Sequence, residues 1–305
     1  MSTFKKFLNP EVLTRISRLE LRARLVVEGF ISGMHKSPYQ GYSVEFASHR
    51  EYVPGDDIRH IDWRLFGRAD RYYIKQYEEE TNLRTHILLD CSHSMGYPEH
   101  PVPDRMDKFM YASTLAASLI YLLMHQQDAC GLVMFDHRIR EQIPPTSSTA
   151  QLRAMIDLIE RNPPDDKTDV KMLFTTLADQ INHRGLVVVI SDLLTNVDDV
   201  IAGLQRLRHD RQDIIVLHVL DHDEIEFPFE DNTMFQGLES PDFELLTDPQ
   251  SLRLSYVNIV QEFIAKLRSA CVNHRIDYQL LSTKEPIAAG LTAFLAARMH
   301  QLAKR

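Results

Sequence analysis

From His86 onward, short apolar runs alternate with segments of helical periodicity, and this alternation restricts the chain to a few folds. The apolar runs lie at 86–90, 129–135, 138–143, 186–191, 213–220 and 277–282, and helical patterns lie at 107–125, 149–161, 170–182, 197–209, 253–273 and 286–302. Strands that alternate with helices form βαβ crossovers and therefore a mostly parallel sheet. The continuous apolar run at 186–191 suits a strand that is covered on both faces. We predict a doubly wound α/β fold.

The second and third runs are too close in sequence for a crossover helix. Only Asp136 and His137 separate them, so a hairpin is expected, with one antiparallel edge strand. Residues 1–84 are instead polar and irregular, with a basic amphipathic helix pattern around Pro10 to Phe30. The sequence thus predicts an N-terminal helix and irregular β-containing segment at 1–84, followed by an α/β domain at 85–305.

Composition and charge exclude several classes of protein. The chain is 44% hydrophobic and 25% charged, as ordinary globular proteins are, and its formal net charge is -9. This acidic balance argues against nucleic-acid binding, because phosphate contacts need a basic face. The cysteines are too few and too scattered for a disulfide framework or a zinc ribbon, so buried free thiols and a cytoplasmic location are expected. No apolar stretch is long enough to predict a transmembrane segment.

Hard oxygen ligands follow the first and fourth predicted strands. The first strand ends in Asp90, and the hydroxyls of Ser92 and Ser94 follow at alternate positions, which places the three side chains on the same side. Asp192 closes the fourth strand. If the strand order is 3-2-1-4-5-6, the first and fourth strands flank the point where the order reverses, and ligands of open α/β sheets bind there. Thr168 precedes the helix that leads into the fourth strand and can supply another hydroxyl.

Carboxylate and hydroxyl oxygens are the ligands that magnesium and manganese prefer. We therefore expect one Mg²⁺ or Mn²⁺ to be held by a set of five residues: Asp90, Ser92, Ser94, Thr168 and Asp192. Purely structural roles are the alternative, because Ser92 could cap a turn and Asp192 could cap the helix that follows it.

These five residues resemble the metal-ion-dependent adhesion site (MIDAS) of von Willebrand factor A domains. The segments 41–80, 221–229 and 247–256 are similar to a bacterial family known as domain of unknown function 58. Members of that family usually have the A-type fold and are typically encoded beside MoxR-type AAA+ ATPases. The resemblance implies a metal whose sixth position is left for a partner's carboxylate. It also implies that the protein partner is a MoxR-type ATPase or a client of that ATPase.

An enzyme is the less favoured interpretation. The chain has 11 glycines and contains neither a P-loop nor a Gly-x-Gly-x-x-Gly motif. A haloacid-dehalogenase-like, magnesium-dependent phosphatase is the alternative, because that class also uses an Asp after its first strand. Ser92 stands where such an enzyme needs a second Asp as acid and base, and a hydroxyl cannot do that work near neutral pH. We therefore expect a metal-dependent protein-binding adaptor.

Two further segments have no assigned chemistry. Residues 51–68 combine turn residues, charges and the tryptophan, and are interpreted as a strap packed on the main domain, with a docking surface as the alternative. The acidic stretch 221–244 interrupts the strand and helix alternation and is predicted to be a solvated surface loop.

Overall fold

The structure is a computed structural model that describes Leu13 and the ranges 18–34, 49–51, 73–75, 84–99, 105–148, 150–165, 170–181, 184–209, 212–237 and 244–302. Its contacts divide the chain into two compact units, of which one is Met34–Asn82 and the other combines residues 1–33 with 83–305. In the first unit, strands β1 (His49–Glu51) and β2 (Tyr73–Lys75) pair in antiparallel fashion. The interpretation of 51–68 as a strap falls on residues outside the described ones, except for Glu51.

The second unit is an α/β unit whose elements follow the predicted alternation closely. Its strands are β3 (Arg84–Asp90), β4 (Cys130–Phe135), β5 (Ile139–Thr146), β6 (Gly185–Ser191), β7 (Asp213–Leu220), β8 (Thr233–Gln236), β9 (Glu244–Thr247) and β10 (Asp277–Ser282). Its helices are α1 (Leu19–Met34), α2 (Lys108–His125), α3 (Ala150–Arg161), α4 (Val170–Gln180), α5 (Val197–His209), α6 (His222–Glu226), α7 (Pro249–Asn273) and α8 (Ala288–Leu302).

The central sheet has six strands in the order β10-β7-β6-β3-β4-β5. Neighbouring strands are parallel except for β4 and β5, which form the predicted antiparallel hairpin. Counted along the chain within this sheet, the order is the expected 3-2-1-4-5-6, so the doubly wound α/β prediction is confirmed. Because β3 and β6 are the central neighbours, their carboxyl ends lie side by side at the point where the strand order reverses.

Helices cover both faces of this sheet. On one face, Leu89, Val188 and Ile190 join a core with side chains of α2, α3 and α8. On the other face, Leu88 and Val189 join a second core with side chains of α4, α5 and α7. Every residue of β6 is buried, as the continuous apolar run predicted. The three cysteines, Cys91, Cys130 and Cys271, are free and buried, also as predicted.

Helix α1 belongs to this α/β unit. Ala23 and Val26 of α1 lie in the same apolar core as Leu119 of α2, and the backbone N–H of Leu19 donates to Glu160 Oε1 of α3 at 3.3 Å. The sequence predicted this helix as part of an N-terminal segment at 1–84, whereas the contacts group residues 1–33 with 83–305. An amphipathic pattern shows that a helix has an apolar face, but not which element covers that face.

The acidic stretch 221–244 is more ordered than the predicted solvated loop. Asp221 caps α6 through a capping box with Glu224, and β8 pairs in antiparallel fashion with β9. Helix α7 also begins before the predicted 253, because Asp248 accepts a hydrogen bond from the N–H of Gln250 at 3.0 Å and Pro249 occupies the first turn. None of the helices in the described parts of the chain is long and apolar enough to cross a membrane.

Candidate functional site

Asp90 is the last residue of β3 and lies in the sheet beside the end of β6, since Leu89 is paired in register with Ile190. Its carboxylate is fully buried. Oδ1 accepts a hydrogen bond from the N–H of Ser92 at 2.9 Å, and Oδ2 accepts one from the hydroxyl of Ser191. Both carboxylate oxygens therefore have a donor from the protein, which fixes the orientation of the side chain.

The two predicted serine ligands lie next to each other. Ser94 belongs to a single 3₁₀ turn, His93–Gly96, that begins directly after Ser92. The Oγ atoms of Ser92 and Ser94 are 3.2 Å apart, and both side chains are buried. In an octahedral magnesium site with bonds of 2.0–2.1 Å, two adjacent ligand oxygens lie roughly 3 Å apart. The spacing of the two hydroxyls therefore fits neighbouring positions around one such ion.

Asp192 follows β6 and is also buried. Its Oδ1 accepts a hydrogen bond from the N–H of Leu194 at 3.1 Å, and its carboxylate is hydrogen-bonded to Ser94. The intervening Leu193 has a φ of 51°, which lies in the left-handed region of backbone conformation that residues other than glycine rarely adopt. Its N–H donates to Ser191 Oγ at 2.9 Å, so the strained turn is held by the same hydroxyl that contacts Asp90.

The two carboxylates affect each other electrostatically. Burial, and next the negative charge of Asp192, raise the pKa of Asp90 above its usual range. Burial alone would also raise the pKa of Asp192, but the positive charge of Lys108 outweighs it and lowers that pKa. A pair of buried carboxylates at one strand edge is stable only with compensating positive charge. The protein supplies part of that charge itself.

Lys108 supplies this charge, a role that the sequence did not predict. It is the first residue of α2 and its side chain is completely buried. Its Nζ lies 2.8 Å from Asp192 Oδ2 and 2.6 Å from Glu224 Oε1. Burial alone would lower the pKa of Lys108, but Asp192 and Glu224 raise it, so the ammonium stays charged. One buried cation is therefore shared by the buried carboxylate of Asp192 and the partly buried carboxylate of Glu224.

The ionic network extends from Lys108 along the carboxyl edge of the sheet to the strands β7 and β10. Glu224 Oε2 accepts from the N–H of Asp221 at 2.7 Å, which completes the capping box of α6. Asp221 pairs with Arg105 and accepts a hydrogen bond from the hydroxyl of Thr283 at 2.7 Å. Asp221 directly follows β7, just as Asp192 directly follows β6. This shared position at the end of a strand is the sequence signal that could have identified Asp221 as part of the site.

His218 holds the main chain of Asp192 through a hydrogen bond to its backbone oxygen. Its Nε2 lies 2.7 Å from the backbone oxygen of Asp192, and its Nδ1 lies 2.7 Å from the hydroxyl of Tyr278. Because a carbonyl oxygen can only accept, Nε2 carries the proton and Nδ1 accepts from the tyrosine. Burial lowers the pKa of His218 to about 4, so the ring is neutral. The carboxylate of Asp192 is thus held on a rigid turn.

The segment before Thr168 is attached to the same edge of the sheet. The N–H of Asp165 donates to the backbone oxygen of Cys91 at 2.9 Å. Arg140 pairs with Asp136 and donates to the backbone oxygen of Pro163 at 3.0 Å. Thr168 itself lies outside the described residues. The structure therefore brings together four of the five predicted ligands: Asp90, Ser92, Ser94 and Asp192.

This arrangement suits a cation site that relies on hydroxyls. In the part of the chain that the structure describes, no three His, Cys, Asp or Glu side chains are grouped so that they could hold a metal ion. A site for a borderline or soft metal such as zinc, which uses several His or Cys side chains, is therefore not present there. Two serine hydroxyls backed by two carboxylates match a hard ion such as Mg²⁺.

Comparisons with known proteins give relatives without an assigned function. Uncharacterised proteins from Mycobacterium bovis and Mycobacterium tuberculosis are each 23% identical to the chain over 237 residues, which is 76% of this chain and 72% of theirs.

Similar solved structures include a conserved hypothetical protein, BatB, from Bacteroides thetaiotaomicron. It is 15% identical, with a TM-score of 0.48 over 72% of this chain and 99% of that one. An aerotolerance-related membrane protein from Bacteroides fragilis is 18% identical, with a TM-score of 0.46 over 69% and 96%. The von Willebrand factor A (VWA) domain of SpRpn10 is 14% identical, with a TM-score of 0.39 over 68% and 93%.

The family comparison covers most of the chain, including β3, β6, β7 and the four site residues that the structure describes. The model described as protein of unknown function DUF58 matches residues 48–263. The chain belongs to the DUF58 family, and its α/β unit has a doubly wound, mostly parallel sheet with one antiparallel edge strand.

Proposed function

We propose that this chain is a protein-binding module in which one Mg²⁺ or Mn²⁺ takes part in the contact with the partner. Asp90, Ser92, Ser94 and Asp192 would hold the ion, together with Thr168. The observation that carries this proposal is the pair of serine hydroxyls, 3.2 Å apart, beside two buried carboxylates at the point where the strand order reverses. That combination of donors and position is what a hard cation requires.

The local charges support a bound cation. Lys108 is shared between Asp192 and Glu224, whereas Asp90 has no ion-pair partner among the residues that the structure describes. Asp90 instead accepts hydrogen bonds from the N–H of Ser92 and from the hydroxyls of Ser191 and Ser92. A divalent ion would supply the positive charge that this carboxylate lacks. The two carboxylate oxygens are already engaged, so the hydroxyls would be the direct ligands and Asp90 would act mainly through its charge.

A metal ion held by neutral hydroxyls keeps most of its positive charge and therefore attracts an anionic ligand strongly. A partner's Asp or Glu would satisfy it better than water does, because the carboxylate brings an opposite charge to a low-dielectric site. The partner that we propose is a MoxR-type AAA+ ATPase or one of its client proteins, on the basis of the family resemblance. The ion would then make partner binding depend on a single exposed carboxylate.

The phosphatase alternative is less well supported by the geometry. A phosphoryl-transfer role for Asp90 needs a free carboxylate oxygen and an acid and base nearby. Both oxygens of Asp90 accept hydrogen bonds, and Ser92 stands where the acid and base would be needed. The binding module therefore accounts better for the same residues.

Partner affinity measured with and without chelator tests the proposed function. The purified MoxR-type ATPase of the host should bind the wild-type protein at least about tenfold more tightly in Mg²⁺ than in EDTA, a difference of about 1.4 kcal/mol. The variant Ser92→Ala, Ser94→Ala should lose this dependence and still unfold cooperatively. The matched control Ser251→Ala, Thr292→Ala removes two hydroxyls on exposed helix positions. An unchanged wild-type affinity in EDTA would rule out a metal-bridged contact.

A further inference from the structure

The β8–β9 ribbon has two faces of different character. Its register pairs Phe235 with Leu245 and Met234 with Leu246, and directly paired residues lie on the same face of a two-stranded ribbon. Phe235 packs against the aromatic rings of Phe227 and Phe229, with ring centroids 5.5 and 5.3 Å away. Phe235 therefore lies on the inner face, together with Leu245, which is 43% exposed, and Met234 and Leu246 lie on the outer face.

This ribbon is linked to the first turns of α7 through the segment that precedes it, because Phe235 packs on Phe227 and Phe229. Arg253 donates to the backbone oxygens of Phe227 and Phe229 at 3.1 and 2.7 Å, and the Tyr256 ring lies 4.3 Å from that of Phe227. Gln250 Nε2 donates to the backbone oxygen of Glu230 at 3.2 Å. A surface fixed by these contacts loses little conformational entropy when it binds another molecule.

The outer face of the ribbon exposes large apolar side chains. Met234 is 54% exposed and Leu246 is 65% exposed, although they form a directly opposed cross-strand pair. Within α7, which follows β9 directly, Leu254 is 80% exposed. Single exposed apolar residues are common on proteins, but a paired set on a rigid element is typical of an interaction surface.

Acidic residues lie on this face and in the segment that precedes the ribbon. Glu244 lies on the same face as Met234 and Leu246, because it is paired with Gln236 in the same register. Glu226, Glu230 and Asp231 are exposed in the segment that leads into the ribbon, and none of these four acids has an ion-pair partner in the described ranges. The nearby cation Arg253 donates its hydrogen bonds to backbone oxygens and not to these carboxylates. The outer face and the segment before it therefore combine exposed apolar side chains with exposed carboxylates.

We propose that the outer face of the β8–β9 ribbon is a second interaction surface, separate from the metal centre, that binds a basic amphipathic segment of a protein partner. The apolar side of such a segment would cover Met234 and Leu246. Its lysines or arginines would meet Glu244, Glu230 and Asp231, which provides the charge complementarity that steers and orients protein association.

A labelled amphipathic peptide of leucine and lysine is a direct probe, and the same peptide with glutamate in place of lysine is its control. Fluorescence anisotropy should show binding of the lysine peptide that weakens with salt, and little binding of the glutamate peptide. The double variant Met234→Ser, Leu246→Ser should bind the lysine peptide about tenfold or more weakly. Glu230→Gln, Glu244→Gln should weaken binding and reduce its salt dependence.

Val272→Ser is the matched control, because Val272 is a 68% exposed apolar residue near the other end of α7. This control should bind the lysine peptide as the wild type does. Equal binding by the ribbon variants, or an equal loss in Val272→Ser, would overturn the proposal. Sedimentation equilibrium provides a second check: a wild-type dimer that Met234→Ser, Leu246→Ser dissociates would show that the face binds another copy of this chain instead.

Discussion

At the scale of single residues, Lys108 is the side chain on which the candidate site depends most. Lysine is almost never fully buried unless it is paired, so a buried ammonium between Asp192 and Glu224 marks a position where positive charge is required. The sequence shows Lys108 only as a charged residue at the start of a helix. Its role could not be predicted, because both of its partners are distant in sequence.

Replacement of Lys108 by methionine should be strongly destabilising. The change leaves the buried Asp192 and the partly buried Glu224 without their shared cation, and the loss of one partner of a buried pair costs about 3–5 kcal/mol. Excess Mg²⁺ should stabilise this variant more than the wild type, because the ion then meets an uncompensated Asp192. Urea unfolding with and without Mg²⁺ measures both effects.

Lys266→Met is the control for that experiment. Lys266 lies 2.8 Å from Asp198, but both side chains are more than half exposed, so the loss of this pair should cost about 0–1 kcal/mol. If Mg²⁺ stabilises Lys108→Met and the wild type equally, Lys108 and the ion do not act on the same carboxylate.

His86 should make the stability of the fold depend on pH. Burial in β3, and next the positive charge of Arg84, lower the pKa of His86 from 6.5 to about 4. The unfolded chain therefore takes up this proton at a higher pH than the folded chain. The contribution of neutral His86 is fully present above about pH 6.5 and is lost as the pH falls towards about 4.

The variant His86→Gln isolates that contribution. Between about pH 7 and pH 5, the free energy of unfolding of the wild type should fall by about 1–2 kcal/mol more than that of the variant. Urea unfolding of both proteins at the two pH values gives the comparison. Parallel pH profiles would contradict the assignment of a partly buried, neutral His86.

At the scale of elements, the strands and helices of the central sheet could be predicted because their periodicity reports burial directly. The run at 186–191 became β6, and the pattern at 197–209 became α5. The β8–β9 ribbon and α6 could not be predicted in the same way. These short elements are stabilised by Arg253, by the aromatic cluster and by Lys108, all of which are tertiary contacts.

Gly203 shows how closely two of these helices approach. A Cβ atom at Gly203 in α5 would come within 2.5 Å of Phe174 Cδ2 and 2.9 Å of Phe174 Cβ in α4. A rotation of the ring cannot relieve the second contact. Gly203→Ala should therefore destabilise the protein by about 1–3 kcal/mol, although alanine is the better helix former.

Thermal or urea unfolding of Gly203→Ala measures this cost. In a Phe174→Ala background the same change should cost clearly less, because most of the clashing atoms are gone. A stabilising effect of Gly203→Ala in the wild-type background would show that α4 and α5 are not packed this closely.

At the scale of the whole α/β unit, the strand order creates the candidate metal centre. Asp90 and Asp192 are far apart in sequence, and they meet because β3 and β6 are neighbours. The proximity of Asp90 and Asp192 could be predicted from the sequence, because the strand pattern and the acidic residue at the end of each strand are both local signals. It could not predict the buried cation, the strained turn at Leu193 or the neutral His218 behind Asp192, because each results from packing.

A calorimetric titration of the metal-free protein with Mg²⁺ tests the central claim most directly. One ion should bind per chain, and Ser92→Ala, Ser94→Ala should bind it at least about tenfold more weakly while its unfolding transition stays cooperative. Mn²⁺ should occupy the same site in a competition titration. A wild-type protein with no saturable binding, or a double serine variant that binds Mg²⁺ as tightly as the wild type, would contradict the assignment of these hydroxyls and carboxylates as a metal site.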